Sequence, residues 1–153
     1  MSLDDLKALK LLVAVDGSMG SIKAIQKAAD LAKEAIVYDL VIIHVMEVRD
    51  YPTLISDAVD DDRDARAKAI LSDMLDVAKS NGIEARSTLL KGHPVQAVLD
   101  YAEEFRPNMI IVGSRGMNAA KSALIGSVAS AISRKAKFPV LVVRSDTAGT
   151  GPV

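Results

Sequence analysis

The sequence predicts an α/β protein of the doubly wound kind, a three-layer arrangement with one sheet covered by helices on both faces. Three observations lead there. Short apolar runs alternate with longer segments of helical periodicity, in the order β-α-β-α-β-α-β-α-β, which right-handed crossovers turn into a single parallel sheet. Four of the five apolar runs are almost continuously hydrophobic, as strands buried on both faces are, whereas a sheet wetted on one side alternates more cleanly. No internal repeat or linker divides the 153 residues, so one domain over 1–153 is expected, with its core at 9–144 and a disordered tail at 145–153.

LKLLVAV (9–15) is the first strand, and after it Ile22, Ile25, Ala29, Ala32 and Ile36 recur every three or four residues. Segment 20–36 therefore reads as a helix whose small-sided stripe lies close on a sheet. DLVIIHVM (39–46) is the second strand. EVRDYPTLISDAV (47–59) is longer than most connections in compact domains and reads as an irregular segment of lid or binding character. Ala67, Ile70, Met74 and Val77 mark a helix within 58–81, stopped by the left-handed signal Asn81-Gly82. EARSTLL (84–90) carries polar residues and reads as a strand near an edge. Pro94 suits the first turn of a helix running to Phe105, with Val95, Val98, Leu99 and Ala102 inward. NMIIVG (108–113), a helix from near Gly126 ending before Pro139, and PVLVVR (139–144) complete the series.

Composition narrows the function classes. A net charge of −1 and 3% aromatic residues leave neither a basic footprint nor a stacking platform for bases, so nucleic acid is not an expected partner. The chain has no cysteine and two histidines, which removes disulfides and argues against a zinc site. The start MSLDDLKALK is polar, and no apolar run approaches the ~20 residues of a membrane span, so a cytoplasmic protein without membrane attachment is expected.

The stretch that carries chemistry is GSRGMNAAKSALIGSV (113–128). Gly113 and Gly116 follow the fourth strand, at the carboxyl end where open parallel sheets take ligands. A Gly-x-x-Gly turn is expected to adopt positive φ and expose amide N–H groups as an anion nest, and Gly126-Ser127 opens a helix whose first N–H groups also favour negative charge. A helix end alone is worth only ~0.3–1 kcal/mol to an anion. A triphosphate would need the two backbone pieces together, the Ser127 hydroxyl, Arg115 or Lys121, and a bridging Mg²⁺. The plainer reading is that Gly113 ends a strand and Ser127 caps a helix. The spacing is neither a Walker A sequence nor the Gly-x-Gly-x-x-Gly of dinucleotide folds.

With these residues in view, the chain resembles the universal stress protein family, and Gly113, Gly116, Gly126 and Ser127 match the Gly-x2-Gly-x9-Gly-Ser/Thr pattern of its ATP-binding branch. VAVDGSMGSIKAI, IIHV (42–45), KGHPVQAVLDYA (91–102), MIIVGSRG, GSVASAI and FPVLVV fall in the family's order, so the resemblance spans about 9 to 144. It implies a five-stranded, Rossmann-like parallel sheet in the order 3-2-1-4-5, of the adenine nucleotide alpha hydrolase-like type. That order places the ends of strands one and four side by side. By the same resemblance, the backbone of Ala14, Val15 and Asp16 and that of Val45 flank adenine, while Gly113, Gly116, Gly126, Ser127 and Val128 hold ribose and phosphates. The Asp16 carboxylate would bind ribose or a phosphate-bound Mg²⁺. The family commonly dimerises through its last strand, here 140–144. Where the family often carries basic or bulky residues between the second and third glycines, this chain has MNAAKSALI with one lysine.

Other residues read more plainly. His44 lies inside an apolar strand and reads as a hydrogen-bonded core histidine, since nothing is spaced to share a metal with it. His93 belongs to a helix-entry turn. The acids of DDDRD (60–64) suit the first turn of a helix rather than a metal, Ser18 and Ser21 are cap candidates, and Met19, Met46 and Met117 stand near the crevice loops. No nucleophile and base are spaced for catalysis, so efficient turnover is not expected. The function expected is an adenine-nucleotide-binding signalling or stress-response module acting on an unidentified protein partner. The alternative is a dimeric interaction protein that ignores nucleotide.

Overall fold

The computed structural model describes residues 2, 5–48, 56–116 and 125–144. Along them alternate β1 (Leu9–Val15), α1 (Met19–Lys33), β2 (Tyr38–Glu47), α2 (Ser56–Ser80), β3 (Arg86–Gly92), α3 (Pro94–Phe105), β4 (Met109–Gly113), α4 (Ser127–Lys135) and β5 (Val140–Val143). The strands form one parallel sheet in the order β3-β2-β1-β4-β5. This is the order the family resemblance implies, and the polar run EARSTLL supplies an edge strand. β1 is central, with Val15 opposite His44 of β2 and Ala14 opposite Val112 of β4.

Strand side chains alternate between faces, so the apolar runs feed two cores. Leu11, Val13, Leu40, Ile42 and Ile111 pack on one face against α1 and α2, through Ala24, Ile25, Ala28, Leu71, Met74 and Ala78. Leu12, Val41, Ile43, Ile110 and Val112 pack on the other against α3 and α4, through Val95, Val98, Ala102, Ala129 and Ile132. Each fully buried Leu or Ile contributes about 1.5–3 kcal/mol relative to exposure.

Several local expectations are corrected. α1 ends at Lys33, because the N–H groups of Glu34 and Ala35 turn back to the carbonyls of Leu31 and Ala32 and tighten the last turn. Ile36 therefore lies beyond the helix and is 78% exposed instead of completing its stripe. α2 starts at Ser56, and its inward face is Ala67, Leu71, Met74 and Ala78, with Ile70 and Val77 half-buried at the margin. Both ends of the expected irregular segment 47–59 are thus regular; 49–55 lies outside the described residues, as does the tail 145–153. The stop at Asn81-Gly82 forms as expected, with Gly82 at φ +79° and the Ile83 N–H bonded to the Ala78 carbonyl. His93 stands at the N-cap position of α3 without a side-chain capping bond, and Pro94 opens the helix. Gly126, not Ser127, is the N-cap of α4, and Ser127 is its first helical residue.

Candidate functional site

β1 and β4 lie side by side, yet β1 hands the chain to α1 on one face and β4 hands it toward α4 on the other. The departing connections leave a crevice at the carboxyl edge of the sheet, the place where open parallel sheets take ligands. A cleft of about 460 Å³ opens there. It is lined by Ala14, Val15 and Asp16 at the end of β1, Val45 of β2, Gly113 and Gly116 after β4, and Gly126, Ser127 and Val128 at the entry to α4. All nine residues singled out from the sequence share this one cleft. Lys121 and Met117 lie outside the described residues. Met19 and Met46 do not line the cleft, and Met19 is 61% exposed.

Two chain segments nine residues apart meet because Ser114 ties them. Its N–H donates to the Val143 carbonyl at 2.8 Å, its carbonyl accepts from the Gly126 N–H, and the residue is buried. The turn after β4 is thereby fixed both to β5 and to the head of α4. The first N–H groups of α4 have no acceptor within the helix, so its N-terminus presents partial positive charge toward this edge.

The glycines are needed for space, and the expectation of positive φ at Gly113 and Gly116 is overturned. Among the described residues, the glycines at positive φ are Gly17, Gly82 and Gly92. A Cβ on Gly113 would lie 2.7 Å from the carbonyl oxygen of Gly20, and one on Gly116 would collide with the Asp16 carboxylate. A Cβ on Gly126 would meet the Ser114 carbonyl oxygen at 3.3 Å, a milder contact. Gly113 thus stands between closely packed backbones, whereas the obstacle at Gly116 is the Asp16 side chain.

Asp16 is held by its own turn. Its Oδ1 accepts from the Ser18 N–H at 3.0 Å and from the Ser21 hydroxyl at 2.9 Å, and its N–H donates to Ser21 Oγ at 2.8 Å. Ser18 caps α1 as expected, its Oγ accepting the Ser21 N–H at 3.2 Å. Ser21, expected to cap, instead clamps Asp16; a serine three residues past Ser18 is the signal that was available in the sequence. His44 Nδ1 donates to the Val15 carbonyl at 2.8 Å, the hydrogen-bonded histidine the sequence suggests, although the residue also borders the cleft.

Ile43, Pro94, Val98, Val112 and Ala129 give the cleft an apolar lining, and Asp16, Ser18, Ser21, Ser114, Arg115 and Ser127 a polar one. Its charged lining residues among those described are Asp16, Glu47 and Arg115. No group of three or more potential metal ligands is gathered among the described residues, and Asp16 Oδ1 is already occupied by two donors. This donor set does not build a protein-held Mg²⁺ site; a Mg²⁺ here would be carried by phosphate oxygens. Among the described residues, no helix is long and apolar enough to cross a membrane.

Fold and cleft together define an α/β protein with a ligand crevice at its topological switch point. The model of the universal stress protein family matches residues 8–144, and the chain belongs to that family. It is 32% identical over 146 residues to universal stress protein YxiE of Bacillus subtilis, across 88% of this chain and 98% of the relative. A universal stress protein solved in complex with cAMP superposes with a TM-score of 0.69 at 27% identity, covering 89% of this chain and 97% of that one. The Archaeoglobus fulgidus universal stress protein in complex with dAMP shares the fold, with a TM-score of 0.71 at 24% identity over 90% of this chain and 99% of its own.

Proposed function

We propose that the cleft binds an adenine nucleotide, ATP or a related form, and that the protein is a nucleotide-responsive module of the stress response belonging to the family's ATP-binding branch. The observation that carries this reading is the convergence of Asp16, the Gly113–Gly116 turn and the head of α4 on one cleft lined by both apolar and polar residues. The cAMP complex of a relative at 27% identity supports it. Ala14, Val15, Asp16 and Val45 would flank the base, and Gly113, Gly116, Gly126, Ser127 and Val128 would hold ribose and phosphate. Mg²⁺ would arrive only with a polyphosphate. The role is one of binding in the cytoplasm rather than catalysis: occupancy alters the affinity of a protein partner by favouring one arrangement of the crevice loops, which requires the ligand to bind the two arrangements unequally. β5 ends the sheet, and a homodimer would form along that edge; a solution mass of one chain would contradict it.

A second reading has an observation of its own. Gly113 is required by its contact with Gly20 whether or not a ligand binds, which suits a dimeric interaction protein indifferent to nucleotide. Protein purified without added nucleotide, then denatured, separates the two. Release of stoichiometric adenine nucleotide supports the first. Absence of release, together with no calorimetric binding of ATP or AMP, leaves the second.

A further inference from the structure

The turn 113–116 rests directly on the first turn of α1. A Cβ on Gly113 would lie 2.7 Å from both the carbonyl carbon and oxygen of Gly20 and 2.9 Å from its Cα. A Cβ on Gly20 would lie 2.5 Å from the Arg115 carbonyl oxygen. The two backbones touch with no side chain between them. Gly20 is buried as the second residue of α1, where glycine is among the poorest helix formers, so the helix itself does not favour it. The same turn of α1 also holds Asp16, through the Ser18 N–H and the Ser21 hydroxyl, and Asp16 in turn fills the space above Gly116. Helix, carboxylate and glycine turn form one contiguous block.

We infer that Gly20 is a positioning residue for the phosphate half of the cleft: by letting α1 touch the turn, it sets where 113–116 stands relative to Asp16 and the head of α4. The inference rests on the nucleotide reading above. Ordinary contact begins at 3.4 Å, so a methyl group at position 20 must open the gap to the Arg115 carbonyl by roughly 0.9 Å. Such a shift takes a 2.9 Å hydrogen bond to about 3.8 Å, outside bonding range. Of the apolar lining, Val45 and Val98 stand on β2 and α3, outside this block, while Val112, next to Gly113, is fixed in β4 opposite Ala14. Gly20 therefore acts on the phosphate more than on the base.

Calorimetry of wild type and Gly20→Ala with AMP and with adenosine tests this, alongside thermal melts and Met19→Ala as a control on the neighbouring exposed residue. Gly20→Ala is expected to weaken AMP by about tenfold or more and adenosine, which lacks the phosphate, by about threefold at most; Met19→Ala changes neither. Equal losses for both ligands, or no loss for AMP, overturn the inference. Should Gly20→Ala fail to melt cooperatively, hydrogen exchange on the wild type decides. AMP, more than adenosine, is expected to protect the amides of 19–22 as well as those of 113–116, and protection confined to 113–116 overturns the coupling. Wild-type protein that binds neither ligand overturns the nucleotide reading itself, a failure visible before any substitution is made.

Discussion

Aspartate in place of Ser127 should expel an anion from the cleft without harming the fold. Ser127 is the exposed first residue of α4, and its N-cap, Gly126, makes no side-chain capping bond. A carboxylate in a helix's first turn is stabilising by about 0.3–1 kcal/mol, so the melting temperature should hold or rise slightly. The same carboxylate about 5 Å from a phosphate repels it by about 1 kcal/mol per unit charge at the dielectric of water and about 3 kcal/mol at an effective value of 20. AMP affinity should then fall by about fivefold to 150-fold, with less loss at high salt, where exposed charges are screened. Titration calorimetry with AMP and adenosine, paired with melting curves, reads both halves of the claim. Unchanged AMP affinity in a normally melting Ser127→Asp protein would refute the placement of phosphate at the head of α4. An equal loss for adenosine would show that the effect is not electrostatic.

Ile132→Ala removes a side chain with 0% exposure from the core beneath α4 and should cost about 2–5 kcal/mol in chemical denaturation, whereas Ile36→Ala, at a residue 78% exposed, should stay within about 0.5 kcal/mol. Half-buried Phe105 has the Lys10 ammonium 4.6 Å and the Arg86 guanidinium 5.9 Å from its ring centre, with Tyr101 at 6.0 Å. Phe105→Leu, which keeps most of the apolar volume, should therefore lose about 0.5–1 kcal/mol of the cation–π contribution; an unchanged stability would show that the cations add nothing. AMP binding should survive EDTA, because the described residues gather no metal-ligand group; loss of AMP binding on chelation would contradict that.

The sheet was legible because β1, β2, β4 and β5 are predominantly apolar, and such runs have few other places to go, although β5 at the edge is only half-buried. The polar residues of β3 likewise marked its edge position. The site was legible at the level of which residues meet, since the glycine pattern and Asp16 sit at strand ends and the strand order implied by the family resemblance brings those ends together. What the glycines do was not legible. Gly113 reads like a turn former in isolation, and only its distance to Gly20 reveals a close approach. Gly20 itself was hidden, because nothing in a sequence tells a glycine that weakens a helix from one that lets it touch its neighbour. The α2 stripe slipped for a different reason: an apolar band wide enough to hold Ile70 and Leu71 together leaves its centre line undecided until the sheet beneath selects Leu71.

Ile43, Val98, Val112 and Ala129 line the cleft and also belong to the second core, each no more than 4% exposed. A ligand that seats against them and binds only the folded chain would add to its stability. Bound molecules would then be part of what keeps the protein folded, so its persistence in a cell would track the supply of whatever fills that cleft.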